Sequence, residues 1–148
     1  MRNILITGGL GFIGGHFLTK IKNNRSFDQI IVFDKMTYAS NYDRLKNLFK
    51  KNNFLLVKGD IAEKEDVKRV FKMYEPNFVI NFAAESHVDN SIKNPDIFLE
   101  VNTKGTLNLL NESKKLWVDK NNKLKRKYRK SIFYQISTDE VFGSLSNS

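Results

Sequence analysis

Two groups of residues in this 148-residue sequence have the types and spacing to do chemistry. The first is the glycine cluster Gly8, Gly9, Gly11 and Gly14, together with Asp34. The cluster lies between an apolar run, Asn3 to Ile6, and an amphipathic helix pattern, which is the setting a bound pyrophosphate requires. Early glycines allow a turn with positive φ, the middle one lets phosphates lie against bare backbone, and the last lets helix and strand pack closely. The helix start then points unpaired N–H groups and a positive dipole end at the anion. Two registers fit, Gly9-x-Gly11-x-x-Gly14 and Gly8-x-x-Gly11-x-x-Gly14. A glycine-rich hairpin turn has the same spacing, and Asp34 argues against it. This carboxylate ends a second apolar run, Gln29 to Phe33, twenty residues after Gly14. In that place it can accept both adenosine-ribose hydroxyls and repel a 2′-phosphate, favouring NAD over NADP. Lys35 weakens that discrimination a little.

The second group is Asp139-Glu140, after the apolar run Ile132 to Ile136. Neighbouring carboxyls in a desolvated crevice push one pKa up, so that one holds a proton while the other can accept one. Side chains alternate along a strand, so a loop must present both to one substrate. A solvated turn with an N-capping role would carry the same dipeptide. Asp60-Ile61 could bracket an adenine, or Asp60 could cap the next helix. His87 suits an orienting or satisfied polar role in a loop, and His16 a helix surface.

The elements that must position these groups alternate between strand and helix. Gly14 to Asn24 reads as a helix with Phe17, Leu18 and Ile21 inward. Tyr42 to Lys51 carries Leu45, Leu48 and Phe49 at helical spacing, and Phe54 to Val57 is a third strand. Glu63 to Tyr74 is a helix with an acidic first turn and a stripe of Val67, Val70, Phe71 and Tyr74, stopped by Pro76. Phe78 to Phe82 is the fourth strand. Asn94-Pro95 starts a helix that runs to about Trp117 through Phe98, Val101, Leu107 and Leu110. In it Gly105 costs about 1 kcal/mol against alanine, which close helix packing would explain. A basic stretch from Asp119 to Lys130 precedes strand five, Ile132 to Ile136. This pattern predicts an α/β fold, a Rossmann-type doubly wound parallel sheet of strand order 3-2-1-4-5. Its switch point between strands one and four makes the carboxyl ends of the strands the place to seek function.

Composition narrows the class. The chain has no cysteine, which excludes disulfides and thiolate metal sites and makes a cytoplasmic setting the default. No run approaches the ~18 apolar residues of a membrane span, and Met1 leads directly into the first strand, so neither membrane nor leader segment is expected. No metal site is expected. The net charge of +9 comes from 25 basic and 16 acidic residues, with the lysines scattered rather than striped. Nucleic-acid association through Lys120 to Lys130, with Tyr128 for stacking, is the minor reading of that charge.

Five stretches in order resemble a known family: Thr7-Gly-Gly-Leu-Gly-Phe-Ile-Gly14, Asp34-Lys-Met-Thr37, Gly59-Asp-Ile61, Ala83-Ala-Glu-Ser-His-Val-Asp89 and Ile136-Ser-Thr-Asp-Glu-Val141. Together they are similar to the dTDP-glucose 4,6-dehydratases of the extended short-chain dehydrogenase/reductase superfamily, over essentially the whole chain. The glycines and strands are shared with every sugar-nucleotide epimerase; the last two stretches are more specific. The resemblance implies residues 1–148 as an NAD-binding Rossmann domain, a lyase activity on the nucleotide-sugar dTDP-glucose, and a homodimer. It implies that Gly8, Gly11, Phe12, Ile13, Gly14, Asp34, Lys35, Met36, Thr37, Asp60, Ile61, Phe82, Ala83 and Ala84 bind NAD. Ser86 and Thr138 would hold the nucleotide-sugar. Asp139, with Thr138 beside it, would protonate the departing C6 hydroxyl, and Glu140 would remove the C5 proton.

The pattern also breaks. The superfamily's Tyr-x-x-x-Lys pair belongs on the helix after strand five, and the sequence stops at Ser148 before it. The literal match, Tyr42-x-x-x-Lys46, falls near the adenosine end and is rejected. Asn90, Val101 and Phe142 stand where arginine, threonine and tyrosine are usual. The resemblance therefore implies a C-terminally truncated or split form with little activity alone, an incomplete dimer interface, and a possible partner chain carrying the C-terminal half. Strand five would be left as a hydrophobic edge. The alternatives are a non-catalytic NAD-binding module, or another sugar-nucleotide epimerase or decarboxylase.

Overall fold

The computed structural model describes residues 2–86, 92–138, 141 and 143. Five strands form one sheet: β1 (Asn3–Thr7), β2 (Gln29–Asp34), β3 (Phe54–Lys58), β4 (Phe78–Asn81) and β5 (Ile132–Gln135). Every pairing is parallel and the order is β3-β2-β1-β4-β5, as the alternating pattern predicts. Both faces of a parallel sheet are covered, so its central strands are apolar throughout rather than alternating. β1 is buried at every position. Period-two alternation then sorts its residues between two cores. Leu5, Ile31, Phe33 and Val79 pack with Val67, Val70 and Phe71 of α3 (Lys64–Tyr74) and with Leu109 and Trp117 of α5 (Thr106–Trp117). Ile4, Ile6, Ile30 and Val32 pack on the other side with Leu18 of α1 (Phe12–Ile21) and Leu45 of α2 (Tyr42–Leu45).

Two helices differ from the sequence reading. α2 has a single α-helical turn, and the chain then winds through i→i+3 bonds, Leu48 N–H to Leu45 and Lys51 N–H to Leu48. Tighter winding still buries Leu45 and Leu48, and Tyr42 stacks on Phe49 with ring centroids 5.9 Å apart. The helix expected to reach Trp117 unbroken consists of α4 (Pro95–Phe98), a π-helical segment (Leu99–Gly105) and α5. The apolar positions along this run do not all face inward. Leu107 and Leu110 are 52% and 43% exposed, whereas Leu109 is fully buried. Gly105 is where this run meets the loop after β3: a Cβ there would lie 2.6 Å from Ile61 Cγ1.

The basic stretch before β5 is built into the structure. Lys125 Nζ donates to the Lys115 and Leu116 carbonyls at 3.1 and 2.8 Å, capping the end of α5, where a cation also suits the helix dipole. Lys127 pairs with Glu75 at 2.5 Å. Tyr128 is 4% exposed within the core, which removes the stacking ring that the nucleic-acid reading requires. Among the described residues, no helix is long and apolar enough to cross a membrane, and no group of His, Cys, Asp or Glu is arranged to hold a metal ion.

Candidate functional site

A parallel sheet brings the segments after β1, β2, β3 and β4 to one edge. There they enclose a cleft of about 130 Å³. The turn after β1 forms its floor. Gly8 has φ +63°, donates its N–H to the Phe33 carbonyl at 3.0 Å, and lies so close to the segment after β4 that a Cβ would sit 2.6 Å from Ala83 N. Gly8 and Gly11 line the cleft, whereas the Gly9 α-carbon faces Val32 in the core. The wider register, Gly8-x-x-Gly11-x-x-Gly14, is therefore the one the fold uses. α1 starts at Phe12, two residues earlier than its apolar pattern indicates, and among the described residues no side chain caps its first N–H groups. Those donors are left for an anion.

Asp34 ends β2 and is 6% exposed. Its Oδ2 accepts the Leu10 N–H at 2.9 Å, and its Oδ1 accepts the Met36 N–H and the Ser40 hydroxyl, each at 2.8 Å. Met36 takes a positive φ of 60° to complete this turn. Lys35 Nζ reaches Asp60 at 2.7 Å. Hydrogen bonding to Asp60 holds the Lys35 pKa above the ordinary lysine value against partial burial, helped by the charges of Asp60, Glu85 and Glu63. Asp60 Oδ1 accepts the Ala62 N–H at 2.9 Å, closing the turn before α3, whose N-cap is Glu63 rather than Asp60.

Of the cofactor residues proposed from sequence, Gly8, Gly11, Asp34, Lys35, Thr37, Asp60, Ile61, Phe82, Ala83 and Ala84 line this cleft. Gly14 packs under the turn against the Gly8 carbonyl. Phe12 and Ile13 stand exposed at the start of α1, and the Met36 side chain lies outside the lining. The cleft adds Ser40, Glu85 and Val101, which sequence reasoning did not assign to the cofactor. Tyr42 and Lys46 are not among its lining residues.

The segments around the cleft are held from the long helical run. Asn102, in its π-helical part, grips Glu85 twice: Oδ1 accepts the Glu85 N–H at 2.8 Å and Nδ2 donates to the Glu85 carbonyl at 2.9 Å. Asn108 donates to the Ile61 and Ala62 carbonyls at 3.0 and 3.1 Å. Asn81, fully buried at the end of β4, accepts from the Thr7 hydroxyl and donates to Gln135 at 2.8 Å and Thr106 at 3.3 Å. This network ties the carboxyl ends of β1, β4 and β5 together. An asparagine at the end of an apolar strand, Phe78 to Asn81, is the signal that could have pointed to it.

Ser86 and Thr138 follow the paired ends of β4 and β5, at the same sheet edge as the cleft, and both are exposed. Asp139, Glu140, His87, Asn90 and Phe142 lie outside the described residues.

Sheet order, glycine turn and the acid ending β2 define a nucleotide-binding domain of the doubly wound Rossmann type. The sequence profile of the family described as GDP-mannose 4,6 dehydratase matches residues 5–148, and the chain belongs to that family. It is 41% identical over 142 residues to the dTDP-glucose 4,6-dehydratase of Salmonella typhimurium, covering 96% of this chain and 38% of that protein. With the dTDP-glucose 4,6-dehydratase of Haemophilus influenzae it shares 40% identity over 148 residues, covering 100% and 43%. Among solved structures, the Bacillus anthracis dTDP-glucose 4,6-dehydratase in complex with NAD is similar over all of this chain and 41% of its own, with TM-score 0.76 and 35% identity. The UDP-glucose 4-epimerase of Thermotoga maritima, solved with UDP-glucose, covers 78% of this chain and 35% of its own, with TM-score 0.68 and 32% identity. The chain thus spans about two fifths of the length of the curated relatives it matches.

Proposed function

We propose that residues 1–148 form the NAD-binding domain of a dTDP-glucose 4,6-dehydratase and carry its elimination acid and base. The observation that carries this reading is the cleft itself: a positive-φ glycine pressed on Ala83, the Gly11 N-cap of α1, and Asp34 share one lining. These residues fit a dinucleotide. The Gly8–Gly11 turn and the start of α1 would hold the pyrophosphate, Asp34 the adenosine ribose, and Asp60 with Ile61 the adenine. A dinucleotide held there would supply the hydride chemistry of the reaction, acceptor for C4 of the sugar and donor for C6. Ser86 and Thr138 would hold the nucleotide-sugar. Asp139 would give a proton to the departing C6 hydroxyl while Glu140 takes the C5 proton, so that water leaves across C5 and C6 with charge balanced.

Oxidation at C4 needs a further base to take the hydroxyl proton. Among the described residues lining the cleft the superfamily's tyrosine–lysine pair has no counterpart, so these residues alone would bind NAD and turn over little. A polypeptide carrying the C-terminal half would supply that pair, the rest of the sugar site and the remainder of a dimer interface. Calorimetric titration with NAD tests the first part: binding is expected for the chain and a loss of tenfold or more for Asp34→Asn, since a hydrogen bond to a charged group contributes about 1.5–3 kcal/mol. Adding the C-terminal half of a relative tests the second. Restored conversion of dTDP-glucose, lost again in Glu140→Gln, supports the split dehydratase. NAD binding with no restored turnover favours a non-catalytic module, and conversion of UDP-glucose to its C4 epimer favours the epimerase reading.

A further inference from the structure

Asp34 is the residue expected to accept both hydroxyls of the adenosine ribose, yet its surroundings leave room for one. A carboxylate oxygen has two lone-pair sites. Oδ1 has both filled, by the Met36 N–H and the Ser40 hydroxyl at 2.8 Å each. Oδ2 has one filled, by the Leu10 N–H at 2.9 Å. The donors come from the chain's own turns and hold a side chain that is 6% exposed, so Asp34 has little freedom to turn another edge outward. Ser40 must be the donor in its pair, because a carboxylate has no proton to give. A hydroxyl whose hydrogen is committed in this way keeps its acceptor lone pairs, and Ser40 lines the same cleft as Asp34, Gly8 and Gly11.

We propose that Ser40 Oγ accepts the second ribose hydroxyl, so that the adenosine ribose is held by Asp34 Oδ2 and Ser40 Oγ side by side. The proposal rests on reading the cleft as a dinucleotide site, and it makes Ser40 a cofactor-contact and specificity-determining residue. Its consequence for cofactor choice follows from the same proton count. Asp34 and Ser40 both present acceptors to the ribose and neither has a hydrogen to offer a 2′-phosphate. The adjacent cation, Lys35, is drawn off to Asp60 at 2.7 Å.

The test is a binding cycle on the full chain, measured by calorimetry. The ligands are NAD and its two analogues lacking the 2′- or the 3′-hydroxyl of the adenosine ribose. Ser40→Ala is expected to weaken NAD binding by about 3- to 10-fold, the worth of one neutral hydrogen bond, while Ser40→Thr keeps the hydroxyl and most of the affinity. For one of the two analogues, wild type and Ser40→Ala should then bind alike, because the hydroxyl that Ser40 would accept is already gone. A purely structural role for Ser40 would penalise both analogues as much as NAD, and that result overturns the proposal. So does Ser40→Ala binding NAD as tightly as wild type, or more tightly because Oδ1 has been freed. A wild-type chain that binds no NAD removes the cofactor reading itself, whereas NAD binding with no effect at Ser40 removes only this contact.

Discussion

At the scale of single residues, the site is built on positions where substitution meets backbone rather than side chain. Gly8 is the clearest. An alanine there would need φ near +63° and would place its Cβ 2.6 Å from Ala83 N, a main-chain atom that cannot swing away. Strain of this kind costs on the order of 1–3 kcal/mol before any ligand is considered. Gly8→Ala should lower the unfolding free energy by that amount, read as a lower urea midpoint, and also weaken NAD binding, whereas Gly143→Ala, at φ +71° with nothing within 4 Å of a Cβ among the described residues, should show the backbone term without the clash. Asp66 supports a pH prediction. Its side chain accepts from Arg69 at 2.8 Å and from the Asp60 N–H at 3.0 Å, and these bonds hold its carboxyl below the usual range, the Arg69 bond first. A depressed folded pKa stabilises the protein above the ordinary carboxylate range and ceases to as pH falls through the folded value. Asp66→Asn should therefore cost something at neutral pH and little in acid. With the side chain about one-third exposed, solvent screening limits the difference to roughly half a kcal/mol, readable as converging urea midpoints at pH 7 and pH 3.

At the scale of elements, the helical run from Pro95 to Trp117 does more than cover a core. Through Asn102 it fixes the segment after β4, through Asn108 the segment after β3, and through Thr106 the end of β4. Removing the Asn102 side chain leaves the Glu85 N–H and carbonyl without their partner, a loss of about 1–3 kcal/mol if water does not replace it. Asn102→Ala should speed hydrogen exchange at residues 83–86 and weaken NAD binding while leaving β1 and β2 amides protected. Unchanged exchange at 83–86 would show that the clamp does not hold the segment. This run is also where the sequence was least legible. Strand order and the two cores follow from apolar runs of four to six residues separated by helix patterns, because alternation and right-handed crossovers leave few topologies. The glycine turn and Asp34 were readable for the same reason, since their spacing reflects a local geometry. The π-helical winding over Leu99–Gly105 has no periodicity of its own, so the spacing of Phe98, Val101, Leu107 and Leu110 does not reveal it. Ser40 and Asn102 were missed because their partners, Asp34 and Glu85, are fixed by how loops fold back, which spacing does not record. The burial of Tyr128 is not legible either, because basic neighbours mask a single inward aromatic.

At the scale of the molecule, the outcome turns on β5. Parallel register aligns side chains into rows across one sheet face: Phe54, Ile30, Ile4, Phe78 and Ile132 form one row, and Leu56, Val32, Ile6, Ile80 and Tyr134 the next. Both rows begin under the cover of α1 and α2, and the cover ends at β4. Ile30 and Ile4 are buried, Phe78 is half-buried, and Ile132 is 55% exposed; in the second row Tyr134 reaches 59%. An apolar row that runs out onto an edge strand is a pairing hazard, because the outer side of the strand also offers unpaired N–H and C=O groups. The chain should therefore self-associate in a concentration-dependent way by sedimentation velocity, despite its charge of +9. Ile132→Lys with Tyr134→Lys should shift it toward monomer with little loss of stability, since neither side chain is buried. If the double variant associates as before, the contact lies elsewhere, and the exposed Leu107 and Leu110 of α5 become the next place to introduce charge. If it is monomeric, adding the C-terminal half should protect Tyr134 in the parent chain and fail to dock on the variant, tying association and complementation to one surface.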